Sequence, residues 1–236
     1  MKPLTTLAAR AACALVVGTS VWCSSAHAGR PLATEDAGVL AEHDCEWEAV
    51  AARLSLPGTE SENALANQVA CGTPWRTQLA LAHVAARADE QTAQDVLLGG
   101  KTLLWGDDDS PLALTLAYGL SWGKAGSEPF RPSAQFANLV TTIQPAEGWT
   151  LHLNAGWCRD PVSDTSTHTW NTAVELAFSP TVDVGAEYLG AEHSLPQWGV
   201  GLRYTPSDTW SFNLGYLEQT GPDRAKLVSA GLKFAF

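Results

Sequence analysis

The chemistry this chain offers lies in charged and hydrogen-bonding residues set at alternate positions. Glu46, Glu48, Asp95, Glu175, Asp183 and Glu187 recur on the polar sides of segments whose other side is apolar, and Arg76, Lys101, Arg203 and Lys233 recur in the same way. Gln68, Gln78, Thr115, Asn138, Thr142, His152, Asn154, Asn171 and Asn213 share those sides. Acids and bases nearly balance. Facing one another across a solvated passage, they would set up a transverse field that favours small polar or zwitterionic solutes. In a space too tight for water they would pair and serve structure alone.

Catalysis asks for more. A lipid-facing hydrolase needs Ser, His and Asn converging on one rim, yet His83, His168 and His193 have no His-x-Ser pairing and Ser121 stands apart. His43, Asp44 and Cys45 are consecutive, so on an extended chain they point to opposite faces and do not converge on a metal. Asp107-Asp108-Asp109 reads as a solvated turn. With no Gly-rich phosphate loop, paired-cysteine zinc spacing or triad signature, we expect no enzyme, no cofactor and no metal.

The elements that hold these residues are strands. Period-two alternation broken by turn residues places them at roughly 44–56, 64–72, 75–87, 94–105, 112–123, 136–145, 149–158, 168–179, 181–190, 197–206, 209–219 and 225–236. Apolar faces are clear in Leu112, Leu114 and Leu116, in Val200, Leu202 and Tyr204, and in Phe212, Leu214 and Tyr216. The last strand puts Val228, Ala230, Leu232, Phe234 and Phe236 on one face and Ser229, Gly231 and Lys233 on the other. About twelve such segments of near ten residues suit an all-β, single antiparallel transmembrane barrel with both termini periplasmic. Its polar faces would line the lumen, because Lys or Arg facing lipid at the midplane costs about 2–4 kcal/mol.

Two patterns support that fold. Joins that include Pro57–Asn63, Ala88–Ala93, Lys124–Gln135, Arg159–Thr167, Ala191–Pro196 and Thr220–Arg224 are mostly longer than those between them, as outer loops are longer than periplasmic turns. Trp47, Trp75, Trp105, Trp149 and Trp210 fall at the predicted periplasmic strand ends, and Trp122, Trp157, Trp170 and Trp198 at the outer ends. Indole rings with a polar N–H favour both membrane boundaries. The closing Phe236 resembles the signal by which the barrel assembly machinery knows its clients.

The chain opens on a secretory signal over 1–28, with Lys2 and Arg10, an apolar run from Ala11 to Trp22 and an Ala26-His27-Ala28 cleavage site. An irregular periplasmic leader over 29–43 and an outer-membrane barrel over 44–236 are expected to follow. No later window of about 18 apolar residues could form a membrane helix. The formal net charge is −11, and the signal contributes bases only, so nucleic acid is excluded as a partner. Beyond the signal remain Cys45, Cys71 and Cys158. Cys45 and Cys71 lie symmetrically about Gly58, the centre of a predicted hairpin loop, and either bridge or pack as two small apolar residues. Cys158 is then a lone thiol.

The leader run Arg30-Pro31-Leu32-x-Thr34-Glu35-Asp36-Ala37-Gly38, the strand Glu46-x-Glu48 and the pattern Asn138-Leu139-x-Thr141-x-x-Gln144-Pro145-x-x-Gly148 resemble the outer-membrane "transporter" family linked to the meta-pathway of phenol degradation. The resemblance implies a Gram-negative outer-membrane barrel and hints at aromatic solutes, although the polar faces show no apolar ladder for a ring to follow. The sequence therefore predicts a channel for passive passage of small solutes, with outer-membrane lipid, the assembly machinery and those solutes as partners. The alternative is a closed structural barrel that binds a partner through acidic outer loops. Lys101 with Arg76 is the cation pair whose removal the channel reading expects to raise cation preference.

Overall fold

A computed structural model describes residues 31–107, 110–222 and 224–236. The signal segment 1–28, Gly29 and Arg30 of the leader, and Asp108 and Asp109 of the acidic turn lie outside the described residues. The strands are β1 (Cys45–Ser55), β2 (Glu62–Thr73), β3 (Thr77–Ala88), β4 (Gln91–Trp105), β5 (Leu112–Ala125), β6 (Arg131–Ala146), β7 (Trp149–Asp160), β8 (Thr165–Ser179), β9 (Val182–Ala191), β10 (Gln197–Tyr204), β11 (Trp210–Gln219) and β12 (Lys226–Ala235). Each pairs antiparallel with its sequence neighbours, and β1 pairs with β12, so the sheet is a closed barrel without edges. The seam is fastened at the end of the chain, where Cys45 and Phe236 exchange backbone hydrogen bonds of 3.0 and 2.9 Å. We call the end that holds this seam proximal and the other distal.

The burial pattern is inverted relative to a soluble sandwich. Leu81 and Leu214 are each 58 % exposed on the outside, whereas Gln68 is 2 % exposed on the inside. Side chains alternate with period two, so each strand turns an apolar face outward and a polar face inward. Four bulges interrupt the ladders, one between Leu103 and Trp105. Past that bulge Trp105 faces outward, beside Leu114.

The joins sort by length less cleanly than the sequence predicts. β3 and β4 meet through Asp89 and Glu90 alone, and the proximal joins 106–111 and 205–209 are as long as most distal ones. The cause is strand extension: the ladders continue distally through Ala88↔Gln91 and Ala93↔Ala125 and absorb residues predicted as loop.

Cys45 and Cys71 sit directly opposite one another on the outward faces of β1 and β2 and are disulfide-bonded, with Cα atoms 4.2 Å apart. Cys158 is buried on the inward face of β7. The β1–β2 bridge closes a loop with a sequence separation of 26, and cross-linking a loop of that size stabilises by about 3 kcal/mol. Replacing both Cys45 and Cys71 by Ala is expected to lower the urea midpoint correspondingly while leaving the gel mobility of the folded barrel unchanged.

Candidate functional site

The lumen is the site, and the leader runs through it. Residues from Pro31 to Glu42 form no long ladder; a single parallel bridge joins Glu42 to Gly72, whose N–H donates to the Asp44 carbonyl at 2.9 Å. Only glycine fits there, because a Cβ on Gly72 would collide with the Ala41 carbonyl oxygen. Further in, wall side chains supply the partners that a buried backbone requires. Gln78 Oε1 accepts from the Leu40 N–H at 3.0 Å, and Thr142 Oγ1 from the Ala37 N–H at 2.8 Å. Thr115 Oγ1 donates to the Ala37 carbonyl at 2.6 Å. Asn154 reads both backbone groups of Glu35, at 2.8 and 2.9 Å.

Two ionic contacts anchor the segment. Lys101 Nζ lies 2.9 Å from Glu35 Oε1, both side chains being 2 % exposed, and donates to the Asp36 carbonyl at 2.9 Å. The Glu187 carboxylate accepts from the Ala33 N–H, the Thr34 N–H and the Thr34 hydroxyl at 2.7–2.9 Å. Hydrogen bonds to a charged group contribute about 1.5–3 kcal/mol each. Leu32 packs over Gly185, Pro31 over Gly201 and Gly215, and Ala37 within a small apolar cluster with Ala113, Ala117 and Val140. The leader is therefore a lumen segment, held by β3 to β7 and β9.

Beside it the wall stays polar. Arg203 binds Asp183 and Glu175, each at 3.0 Å, and keeps 26 % of its side chain exposed. His152 Nε2 is 3.9 Å from Glu175 and its Nδ1 is 2.9 Å from the Thr142 hydroxyl. Lys233 lies 3.4 Å from Glu46 and is 37 % exposed. Glu48 accepts from Gln68 at 3.4 Å, Asp95 accepts from Ser133, and Asn171 lines a small distal cleft of about 30 Å³ with Ala33, Leu189 and Gln197. Ser211 Oγ and the Asn213 amide face inward and are buried, with no hydrogen-bond partner among the described residues.

One residue corrects the sequence reading. Arg76 does not line the lumen: β3 begins at Thr77, and Arg76 stands exposed in the preceding turn with φ 53°, donating to the Gly106 carbonyl. Glu35, Asp36 and Thr34 were missed as lumen residues. A signal existed: in register Lys101 faces Gln78 and Ala117, so neither neighbouring strand offers it an acid. At the distal rim, Glu192 has its carboxyl held below the usual range by the hydrogen bond from the His168 N–H, helped by the imidazole. Ser121 bonds to Ser133, and no cluster of metal-ligating residues occurs among the described residues.

The tryptophans divide between the two ends as the strands run. Trp75 in the β2–β3 turn, Trp47, Trp105, Trp149 and Trp210 lie proximally, while Trp122, Trp157, Trp170 and Trp198 lie in the distal parts of their strands.

The family model described as uncharacterised conserved protein UCP029691 matches residues 16–236. The chain belongs to that family. No curated protein matches it. Among solved structures, the COG4313 outer membrane channel from Pseudomonas putida F1 superposes with a TM-score of 0.65 at 8 % identity, covering 85 % of this chain and 98 % of that one. The NanC porin gives 0.59 at 10 % identity over 80 % of this chain and 98 % of that one, and the KdgM porin 0.54 at 11 % over 80 % and 99 %. This member of the family thus has the fold of outer-membrane channel barrels.

Lys101→Ala removes the buried cation that contacts Glu35 and the Asp36 carbonyl, and breaking a buried pair costs about 3–5 kcal/mol. The expected result is release of the leader from an intact barrel, read as proteolytic cleavage within 31–43 with heat-modifiable gel mobility retained.

Proposed function

We propose that the protein is an outer-membrane channel for the passive passage of small solutes, delivered by a cleaved signal over 1–28, with both termini periplasmic and its lumen narrowed by the leader. The observation that carries this reading is the partly exposed, inward-facing charge at the proximal mouth of the lumen, where Arg203, Asp183 and Lys233 reach solvent. Opposed charges in a narrow solvated passage favour small polar or zwitterionic solutes. Two structural neighbours are described by what they carry, a KdgM porin in complex with disordered oligogalacturonate and the CymD monoaromatic hydrocarbon channel. The inward charges of this chain favour polar cargo over aromatic rings. Catalysis has no place in this reading, and the exposed Phe236, stacked on Phe234, is the end the assembly machinery would read.

The closed structural barrel is the second reading, and the buried Lys101–Glu35 pair favours it. Single-channel recording of the processed protein in a planar bilayer separates the two. Discrete conductance steps, larger or more frequent in Glu187→Ala, support the channel; silence from both folded proteins rejects it. Arg203→Ala leaves Glu175 and Asp183 without their cation, so the reversal potential is expected to move toward cation preference.

A further inference from the structure

The cations of the outer surface are segregated to one end. Lys101, Arg203 and Lys233 face the lumen and Arg76 sits in a proximal turn, but every other described Lys and Arg lies in the distal part of the barrel or its joins. Arg53 shares its face with Trp47, Arg87 with Leu79 and Leu81, and Lys226 with Val228, so all three point outward. Arg53 is paired in register with Asn63, and Asn63 with Arg87. On its other side Arg53 faces Val228, two residues from Lys226 on the same face. Lys226, Arg53, Asn63 and Arg87 thus form a row across β12, β1, β2 and β3, neighbouring strands being about 4.8 Å apart.

The row is continuous with an apolar surface. Below it on the same faces lie Val228, Leu65, Val69 and Leu81, all exposed. Two further strands repeat the arrangement, since Lys124 and Arg159 each stand two residues distal to a tryptophan of the distal belt, Trp122 and Trp157, on the same face. Glu218 takes up part of the charge, lying 3.3 Å from Arg224 and 3.9 Å from Lys226, and Asp164 pairs with Arg159. Arg53 and Arg87 make no ion pair with any described carboxylate. A strongly acidic protein has placed its unneutralised outward cations where the lipid-facing surface ends.

From this we infer that the Lys226–Arg53–Asn63–Arg87 row is a docking surface for the phosphate groups of a phosphorylated glycolipid in the outer leaflet, whose acyl chains lie along the apolar faces of β1 to β3. The inference rests on the outer-membrane reading. It adds a partner, and it assigns the distal end to the outside. Guanidinium forks suit phosphate oxygens, and Asn63 supplies a neutral donor between them.

The test uses the processed protein in detergent, with bisphosphorylated lipid A, the same lipid stripped of its phosphates, and inorganic phosphate as probes. Binding of the bisphosphorylated lipid is expected to weaken roughly thirtyfold in Arg53→Ala with Arg87→Ala, and Arg76→Ala is expected to bind as the unaltered protein does. Equal binding of the two lipids by the unaltered protein, or equal affinity in the double variant, would overturn the proposal. So would inorganic phosphate that competes at the lipid's own concentration. Heat-modifiable mobility shows that each variant is folded. Fractionation of cell envelopes separates the two failures: protein in the outer membrane with no phosphate dependence sinks this inference alone, whereas protein absent from that membrane sinks the reading beneath it.

Discussion

Everything in this molecule depends on the ladder between β1 and β12. A sheet whose outer face is apolar has nowhere to put an unpaired edge, since in hydrocarbon each unsatisfied backbone group costs several kcal/mol. Closure removes the edge, and here it is made by the last residue of the chain bonding to the first residue of the first strand. Because the ring closes, alternation has only one outcome for each strand. One face meets the surroundings and the other meets the lumen.

That lumen is broad enough to need filling and polar enough to dictate what fills it. An apolar plug would strand the carbonyls, amides and carboxylates of the wall. The leader is instead short in side-chain bulk and rich in backbone groups that have no partners of their own. Wall and leader complete each other: Asn154 bonds both backbone groups of Glu35, Glu187 collects three donors, and Lys101 finds in Glu35 the acid that its neighbouring strands lack. Small residues make the approach possible, with Gly185, Gly201 and Gly215 leaving room for Leu32 and Pro31. The same wall away from the leader holds Arg203 between two acids, so one set of inward faces serves both packing and solvation.

The barrel was legible because its signal is repeated in every strand, and an error of a residue or two at one boundary does not propagate to the next. Inward faces followed from the same parity. Arg76 was misplaced because the alternation of β3 was extended through a turn residue in a left-handed conformation, where parity has no meaning. Loop lengths misled for a related reason, since polar residues such as Gln91 and Thr92 read as loop yet pair in the ladder beyond the apolar zone. The leader was legible as irregular but not as internal. Its contacts are side chain to backbone across sequence separations such as 119 and 153, and no local periodicity encodes those.

The leader is covalently continuous with β1, turning into it at His43 and Asp44. Once displaced it remains tethered beside its own binding groove, at an effective concentration on the order of millimolar. Its return is thus a unimolecular event, independent of how many copies share the membrane. A solute engaging Glu187, Asn154 or Lys101 would compete with a ligand that never dilutes, and its apparent affinity would be lowered by that competition.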